Sequence, residues 1–154
     1  MTAPIQVRLA TPVDAPEIVA FNQAMALETE DKVLADGVVS AGVCRVFTEP
    51  VLGFYLVAEE AETVIGTLMV TKEWSDWRNA YFWWIQSVYV MPEQRRHGVY
   101  RALDQQVRVQ AKLRGNVCGV RLYVDHRNHG AQEVYSRLGM VPSHYDMYEV
   151  EISE

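Results

Sequence analysis

Val90-Met91-Pro92-Glu93-Gln94-Arg95-Arg96-His97-Gly98-Val99-Tyr100 joins two segments of different period, and that change decides how the chain is read. Ahead of it, Tyr81-Phe82-Trp83-Trp84-Ile85-Gln86-Ser87-Val88-Tyr89-Val90 is apolar on both faces, as a central strand must be. Pro92 stops that strand. Behind it, Val99, Leu103, Val107 and Ala111 recur at helical spacing, and Gly115 ends the helix. A glycine at such a turn lets backbone N–H groups converge on an anion, and the helix N-terminus adds the positive end of its dipole. Arg95 and Arg96 add full charges with bidentate reach for phosphate. Taken alone, the same residues also describe a plain strand-to-helix turn with exposed arginines.

Working outward toward the N-terminus, Val64 to Thr71 and Phe54 to Ala58 form a strand pair around the polar turn Glu59-Glu60-Ala61-Glu62. Before them, Ile5, Val7 and Leu9 alternate as a first strand. Thr11-Pro12-Val13-Asp14 then starts a helix that carries Ile18, Phe21 and Met25 on one stripe to about Glu28. A looser helical stretch runs from Asp31 to Val39 and ends near Gly42. Toward the C-terminus, Val117 to Val124 is a strand and Asn128 to Gly139 a helix bearing Ala131, Val134, Tyr135 and Leu138. Tyr145 to Ile152 is expected as a final strand. Strands and helices interleave, which implies an α/β fold: a mixed sheet covered by helices on both sides. With no repeat, low-complexity tract or linker, 1–154 is expected to be a single domain.

Composition narrows the function. A hydrophobic share of 49% and a charged share of 22% are those of a soluble globular chain. The net charge of −6 argues against nucleic-acid binding, which needs a basic face. Yet Arg95, Arg96, Arg101, Arg108, Lys112 and Arg114 crowd one twenty-residue window, which suits a small anionic ligand better than a long polyanion. Cys44 and Cys118 have no paired spacing, the N-terminus lacks a signal-peptide pattern, and no run approaches the roughly 20 apolar residues of a membrane span. A cytoplasmic protein without membrane attachment is expected. His126 and His129 are three apart but have no third ligand at a recognisable spacing, so no metal is expected. Gly-x-Ser-x-Gly, Gly-x-x-x-x-Gly-Lys-Ser/Thr and Gly-x-Gly-x-x-Gly are all missing, which disfavours serine hydrolases, nucleoside triphosphatases and dinucleotide oxidoreductases.

A second constellation follows the Val117–Val124 strand: Asn128-x-x-Ala131-x-x-x-Tyr135-x-x-x-Gly139-Met140. Asn128, Ala131 and Tyr135 share a helix face, where a small alanine permits close approach and a tyrosine can offer a proton. By itself a tyrosine on an apolar stripe belongs to a core. The two constellations together, about thirty residues and one strand apart, resemble the cofactor motifs of the GNAT acyltransferases. Val90-Met91-Pro92 stands for that family's Val-x-Pro, and Arg95-Arg96-His97-Gly98-Val99-Tyr100 for its Arg/Gln-x-x-Gly-x-Gly/Ala, with Tyr100 replacing the usual small residue. Asn128, Tyr135 and Gly139-Met140 match the later positions.

The resemblance implies a central, mostly antiparallel sheet flanked by helices and an N-acetyltransferase that uses acetyl-CoA as co-substrate. It implies that the backbone of Val88, Tyr89 and Val90 pairs with the pantetheine arm and polarises the thioester carbonyl. The amides of Arg96, His97, Gly98, Val99 and Tyr100, with Arg95 and Arg101, would hold the diphosphate. Asn128 would bind the pantetheine or thioester region, and Tyr135 would protonate the leaving thiolate. Trp84 stands where many members have a basic Glu. Glu28 and Glu30, at the end of the first helix, are candidate acceptor-binding or base residues; a solvated helix end, a water relay or an amine arriving neutral are equally compatible. Trp74, Trp77, Trp83 and Trp84 either fill the core and a homodimer contact or wall the pocket of a primary amine, with one of Trp83 and Trp84 in the core. A non-catalytic acyl-CoA-binding regulatory module is the alternative reading.

Overall fold

The alternation expected of the central strand holds only in part, and its interruption shapes the molecule. In the computed structural model, which describes residues 3–153, the strand β4 (Ala80–Val90) turns Tyr81, Trp83 and Ile85 to one apolar core and resumes on that side with Val88 and Val90. The step from Ile85 to Val88 is one residue too long for a two-residue period. The extra residue falls at Ser87, whose φ of 51° lies in the left-handed region. Against its neighbour β3 (Thr63–Ser75), β4 pairs Gln86 with Met69 but Tyr89 with Thr67, so three residues on one strand span two on the other. This is a β-bulge.

The sheet has five strands in chain order. β1 (Gln6–Leu9), β2 (Gly53–Glu60), β3 and β4 are antiparallel, while β5 (Val117–Leu122) lies parallel to β4. The observed fold is therefore the expected mixed, mostly antiparallel sheet. Pairing of β4 with β5 runs from Tyr81↔Val117 to Ile85↔Leu122 and stops there. Beyond Ile85, β4 is paired on its β3 side only among the described residues.

Helices cover the two faces of the sheet. On one, α3 (Val99–Arg114) presents Val99, Leu103 and Val107 to Leu56, Leu68, Val70, Trp83 and Ile85. Gly66 lets the start of that helix approach closely: a Cβ there would lie 2.9 Å from Val99 Cγ1 and 3.2 Å from Tyr89 O. On the other face lie α1 (Ala15–Glu30) and α2 (Asp36–Thr48), which pack Ile18, Val43 and Val46 against Tyr55, Val57 and Val64. α1 is anchored at its start by Asp14, whose carboxylate accepts from Arg8 at 2.8 and 2.9 Å and from Thr11 N at 2.8 Å. Arg8 also donates to Glu59, tying β1 to β2.

Two expectations about elements are corrected. The second helix lies at Asp36–Thr48 rather than from Asp31 to Gly42. Gly42 is interior to it, because burial of Val43 and Val46 outweighs the roughly 1 kcal/mol that a mid-helix glycine costs. The final strand expected over Tyr145–Ile152 does not form; the segment is irregular, and Tyr148 and Ile152 are fully exposed. Its β-prone residues find no ladder partner, and propensity without a pairing edge does not hold a strand.

The chain divides into two compact units, one up to Tyr123 and a smaller one from Val124. The smaller unit contains α4 (His129–Arg137), capped by Asn128. No helix of the described residues is long and apolar enough to cross a membrane.

Candidate active site

The free edge of β4 begins where the bulge does, at Gln86 and Ser87, and the turn that follows the strand lies at its far end. Val88 and Val90 direct their side chains into the core under α3. Their backbone remains as what this stretch offers to a ligand. Tyr89 points to the opposite face, where its ring stacks on Phe21 of α1 at 5.2 Å.

The turn from Arg95 to Gly98 reverses the chain through two left-handed residues, Arg96 (φ 66°) and Gly98 (φ 83°). Gly98 is the N-cap of α3 and supplies no side chain to the first turn. The N–H groups of Val99 and Arg101 therefore start the helix without intrahelical acceptors. A Cβ on Gly98 would meet nothing within 4 Å, so the space over these amides is open. Arg96 and Arg101 are exposed and make no ion pair among the described residues. Tyr100, in the position where a small residue was expected, packs against the apolar core beneath α3. Open amides, a helix dipole and free guanidinium groups fit a diphosphate.

Arg95 is engaged differently. Its Nε donates to Val90 O at 2.9 Å, its Nη2 to Glu28 Oε2 at 2.8 Å, and its guanidinium lies 5.4 Å from the Tyr89 ring centre. The Tyr89 hydroxyl donates to the other oxygen of Glu28 at 3.1 Å. Glu28, Tyr89 and Arg95, which are far apart in sequence, thus meet where α1 ends over the bulged part of β4. The Arg95 guanidinium holds the Glu28 carboxyl below the ordinary carboxylate range, despite an opposing contribution from burial. Glu28 is consequently an anion at neutral pH and a weak base. Burial, followed by the Glu28 contact, pushes the Tyr89 hydroxyl up, so it keeps its proton. Glu30 is exposed at the end of α1, with Oε2 3.7 Å from Lys32 Nζ.

Trp83 and Trp84 divide between the faces, as the sequence suggested for one of them. Trp83 is 2% exposed in the α3 core. Trp84 stacks on Tyr123 at 4.6 Å and donates its indole N–H to Glu73 Oε1 at 2.9 Å, an oxygen that also receives Arg121 Nη1 at 3.0 Å. Trp74 and Trp77 lie at the β3–β4 hairpin, Trp77 almost fully exposed. Trp77 lies in the turn before Ala80, and Ala80 is seven strand residues from Ser87, roughly 23 Å at the rise of a strand. These tryptophans do not wall the region of the bulge.

In the smaller unit, Asn128 Oδ1 accepts from Ala131 N at 3.1 Å and so starts α4. Burial pushes the Tyr135 hydroxyl up, which keeps it protonated at neutral pH. Among the described residues no group of three metal-ligating side chains is present.

A bulged strand with one free edge, followed by an anion-binding turn and helix, agrees with the family model that the sequence matches, the acetyltransferase (GNAT) family, over residues 23–140. The chain belongs to the GNAT acetyltransferase family. A structure described as a possible acetyltransferase from Clostridium difficile 630 is 39% identical, with a TM-score of 0.91 over 97% of this chain and 99% of that one. A predicted acetyltransferase with acetyl-CoA from Clostridium acetobutylicum shares the fold at 17% identity, with a TM-score of 0.78 over 96% of each chain. No curated protein matches the sequence.

Three polar residues that the sequence reading did not single out come together on the α1–α2 side of the sheet. Asn22, Tyr55 and Thr71 line a cleft between α1, α2 and the sheet. Nothing in their sequence spacing marks them; they converge only because α1 and α2 pack across β2 and β3.

Proposed function

We propose that this chain transfers an acetyl group from acetyl-CoA to a primary amine by direct attack of the amine on the thioester. The observation that carries the reading is the one-sided pairing of β4 beyond Ile85, next to the open amide turn at Gly98. Acetyl-CoA would supply the activated acyl group. The backbone of Val88 to Val90, which has no β5 partner and of which Val90 O is held by Arg95, would align the pantetheine arm and direct an N–H at the carbonyl oxygen, where negative charge develops. The first-turn amides of α3, with Arg96 and Arg101, would hold the diphosphate. Tyr135, with a hydroxyl that burial keeps protonated, would give the Oη proton to the departing sulfur. Glu28, an anion held by Arg95 and Tyr89, would attract the ammonium form of the acceptor and leave its deprotonation to water.

Release of free thiol from acetyl-CoA across a panel of amines tests the activity. Binding of acetyl-CoA without thiol release for any amine would instead identify an acyl-CoA-binding regulatory module. Gly98→Glu, which adds bulk and negative charge in the open space over the turn, should abolish acetyl-CoA binding in calorimetry; undiminished affinity would exclude that site. Tyr135→Phe should lower kcat by about 10²-fold while leaving acetyl-CoA affinity nearly unchanged. A wild-type kcat in that variant would remove the assignment.

A further inference from the structure

The cleft between α1, α2 and the sheet, about 390 Å³ in volume, has a lining that says what kind of acceptor it takes. Its walls are apolar apart from Asn22, Thr71 and the Tyr55 hydroxyl, and among the described residues no charged side chain lines it. Asn22 is 8% exposed. Its side chain is hydrogen-bonded to Tyr55, yet its Oδ1 has no donor among the described residues. A buried acceptor left unpaired is costly, so a donor arriving from outside the chain would be bound there with advantage. Thr71 Oγ1 already accepts from Gln86 Nε2, which leaves its hydroxyl proton to donate.

A second observation is independent of these polar atoms. Gly42 lies inside α2 and lines the same cleft, where an added Cβ would meet nothing within 4 Å. Neither packing nor helix propensity calls for glycine there, since alanine is the better helix former. What the glycine does is leave room.

The cleft also lies beside the reacting region. Met69 of its floor pairs with Gln86, the residue before the bulge, and Asn22 follows Phe21, which stacks on Tyr89. We propose that the acceptor is a monoamine with a compact, uncharged, apolar body that carries one hydrogen-bond donor for Asn22 Oδ1, and that polyamines are excluded. This rests on the acetyl-transfer reading and specifies its substrate class. A polycation would leave its second charge against aliphatic walls with no carboxylate among the described lining residues to receive it.

The test compares 2-(4-hydroxyphenyl)ethylamine, 2-phenylethylamine and spermidine as acceptors, and measures binding of each amine by calorimetry independently of turnover. The expected result is that kcat/KM for the arylalkylamines exceeds that for spermidine by at least about tenfold. Gly42→Phe should fill the cleft and cost at least about tenfold in arylalkylamine affinity, with acetyl-CoA affinity unchanged. Asn22→Leu should erase the preference for the hydroxylated amine over the unsubstituted one. If arylalkylamines bind the wild type and not Gly42→Phe, but no amine releases thiol, the cleft assignment stands and the acetyl-transfer reading fails. If spermidine is acetylated and the arylalkylamines neither bind nor react, transfer stands and the cleft assignment is overturned. Retained affinity in a folded Gly42→Phe variant, or an unchanged amine preference in Asn22→Leu, would overturn it as well.

Discussion

On the side of the sheet covered by α3, Leu68, Val70, Trp83 and Leu103 close into a core with each of them at most 2% exposed. On the side covered by α1 and α2, the same strands present Thr71, Gln86 and Tyr89, and the helices answer with Asn22, Gly42 and Glu28. Both faces bury apolar surface, and on the second the described residues leave a cleft with Asn22, Tyr55 and Thr71 in its lining. The difference teaches where stability and recognition are held. A face packed densely under one long amphipathic helix can carry the fold, which frees the opposite face to hold a cleft that full packing would have closed.

The sharpest way to break this comparison is to damage the packed face. Leu103→Ala should cost about 3 kcal/mol of unfolding free energy by urea denaturation, through lost burial and the cavity left behind. Acetyl-transfer rate per folded molecule should stay near wild type. A rate loss beyond the unfolded fraction would show that the two faces are not separable.

Next in size is the anchor at the start of α1. Asp14→Asn should cost about 2 kcal/mol, because it removes a carboxylate that accepts two bonds from Arg8. The Arg8 guanidinium holds the Asp14 carboxyl below its ordinary value. A depressed folded-state pKa means that this stabilisation is fully present above the unfolded value near 3.8 and is lost as pH falls through the folded one. Wild type and variant should therefore converge in stability only in strong acid. A constant difference across an acid titration would exclude the linkage.

A smaller effect of opposite sign is expected at Asp104 in α3, which is 3% exposed and paired with Arg108 at 2.9 Å, with its Oδ1 unpartnered. Burial pushes this carboxyl up, so the folded state holds the proton more tightly than the unfolded one. Stability from that proton is present below the unfolded value and lost as pH rises through the folded one. Asp104→Asn should then stabilise the protein slightly at neutral pH, with the gain vanishing in acid. Thermal melts at two pH values decide it.

The smallest change sharpens the comparison from the recognition side. Glu28→Gln should alter stability by less than about 0.5 kcal/mol, since its pair with Arg95 is solvent-exposed. It should raise KM for the amine about threefold, the loss of one partly screened charge. With Glu28 ionised well below neutrality, the rate profile from pH 6 upward should show no titration belonging to it. A matching loss of stability would mean that Glu28 only fastens α1 to β4.

The sequence by itself determined the sheet-and-helix order through α4, the glycine turn ahead of α3 and the end of α3 at Gly115, because each is encoded locally. A proline stop, a left-handed glycine and a stripe of Val99, Leu103 and Val107 leave few alternatives. It placed α2 too early, since Gly42 reads as a stop when its packed neighbours are unseen. It also gave Tyr145–Ile152 a strand that finds no pairing edge. Only the tertiary structure decided the rest. Serine carries no mark for the left-handed φ that bulges β4 at Ser87; the register of β3 and β4 puts it there. Glu28 is held as an anion because Arg95, sixty-seven residues later, folds back onto it. Asn22, Gly42, Tyr55 and Thr71 form a cleft because two helices cross one sheet, and no local pattern records a volume that packing leaves empty.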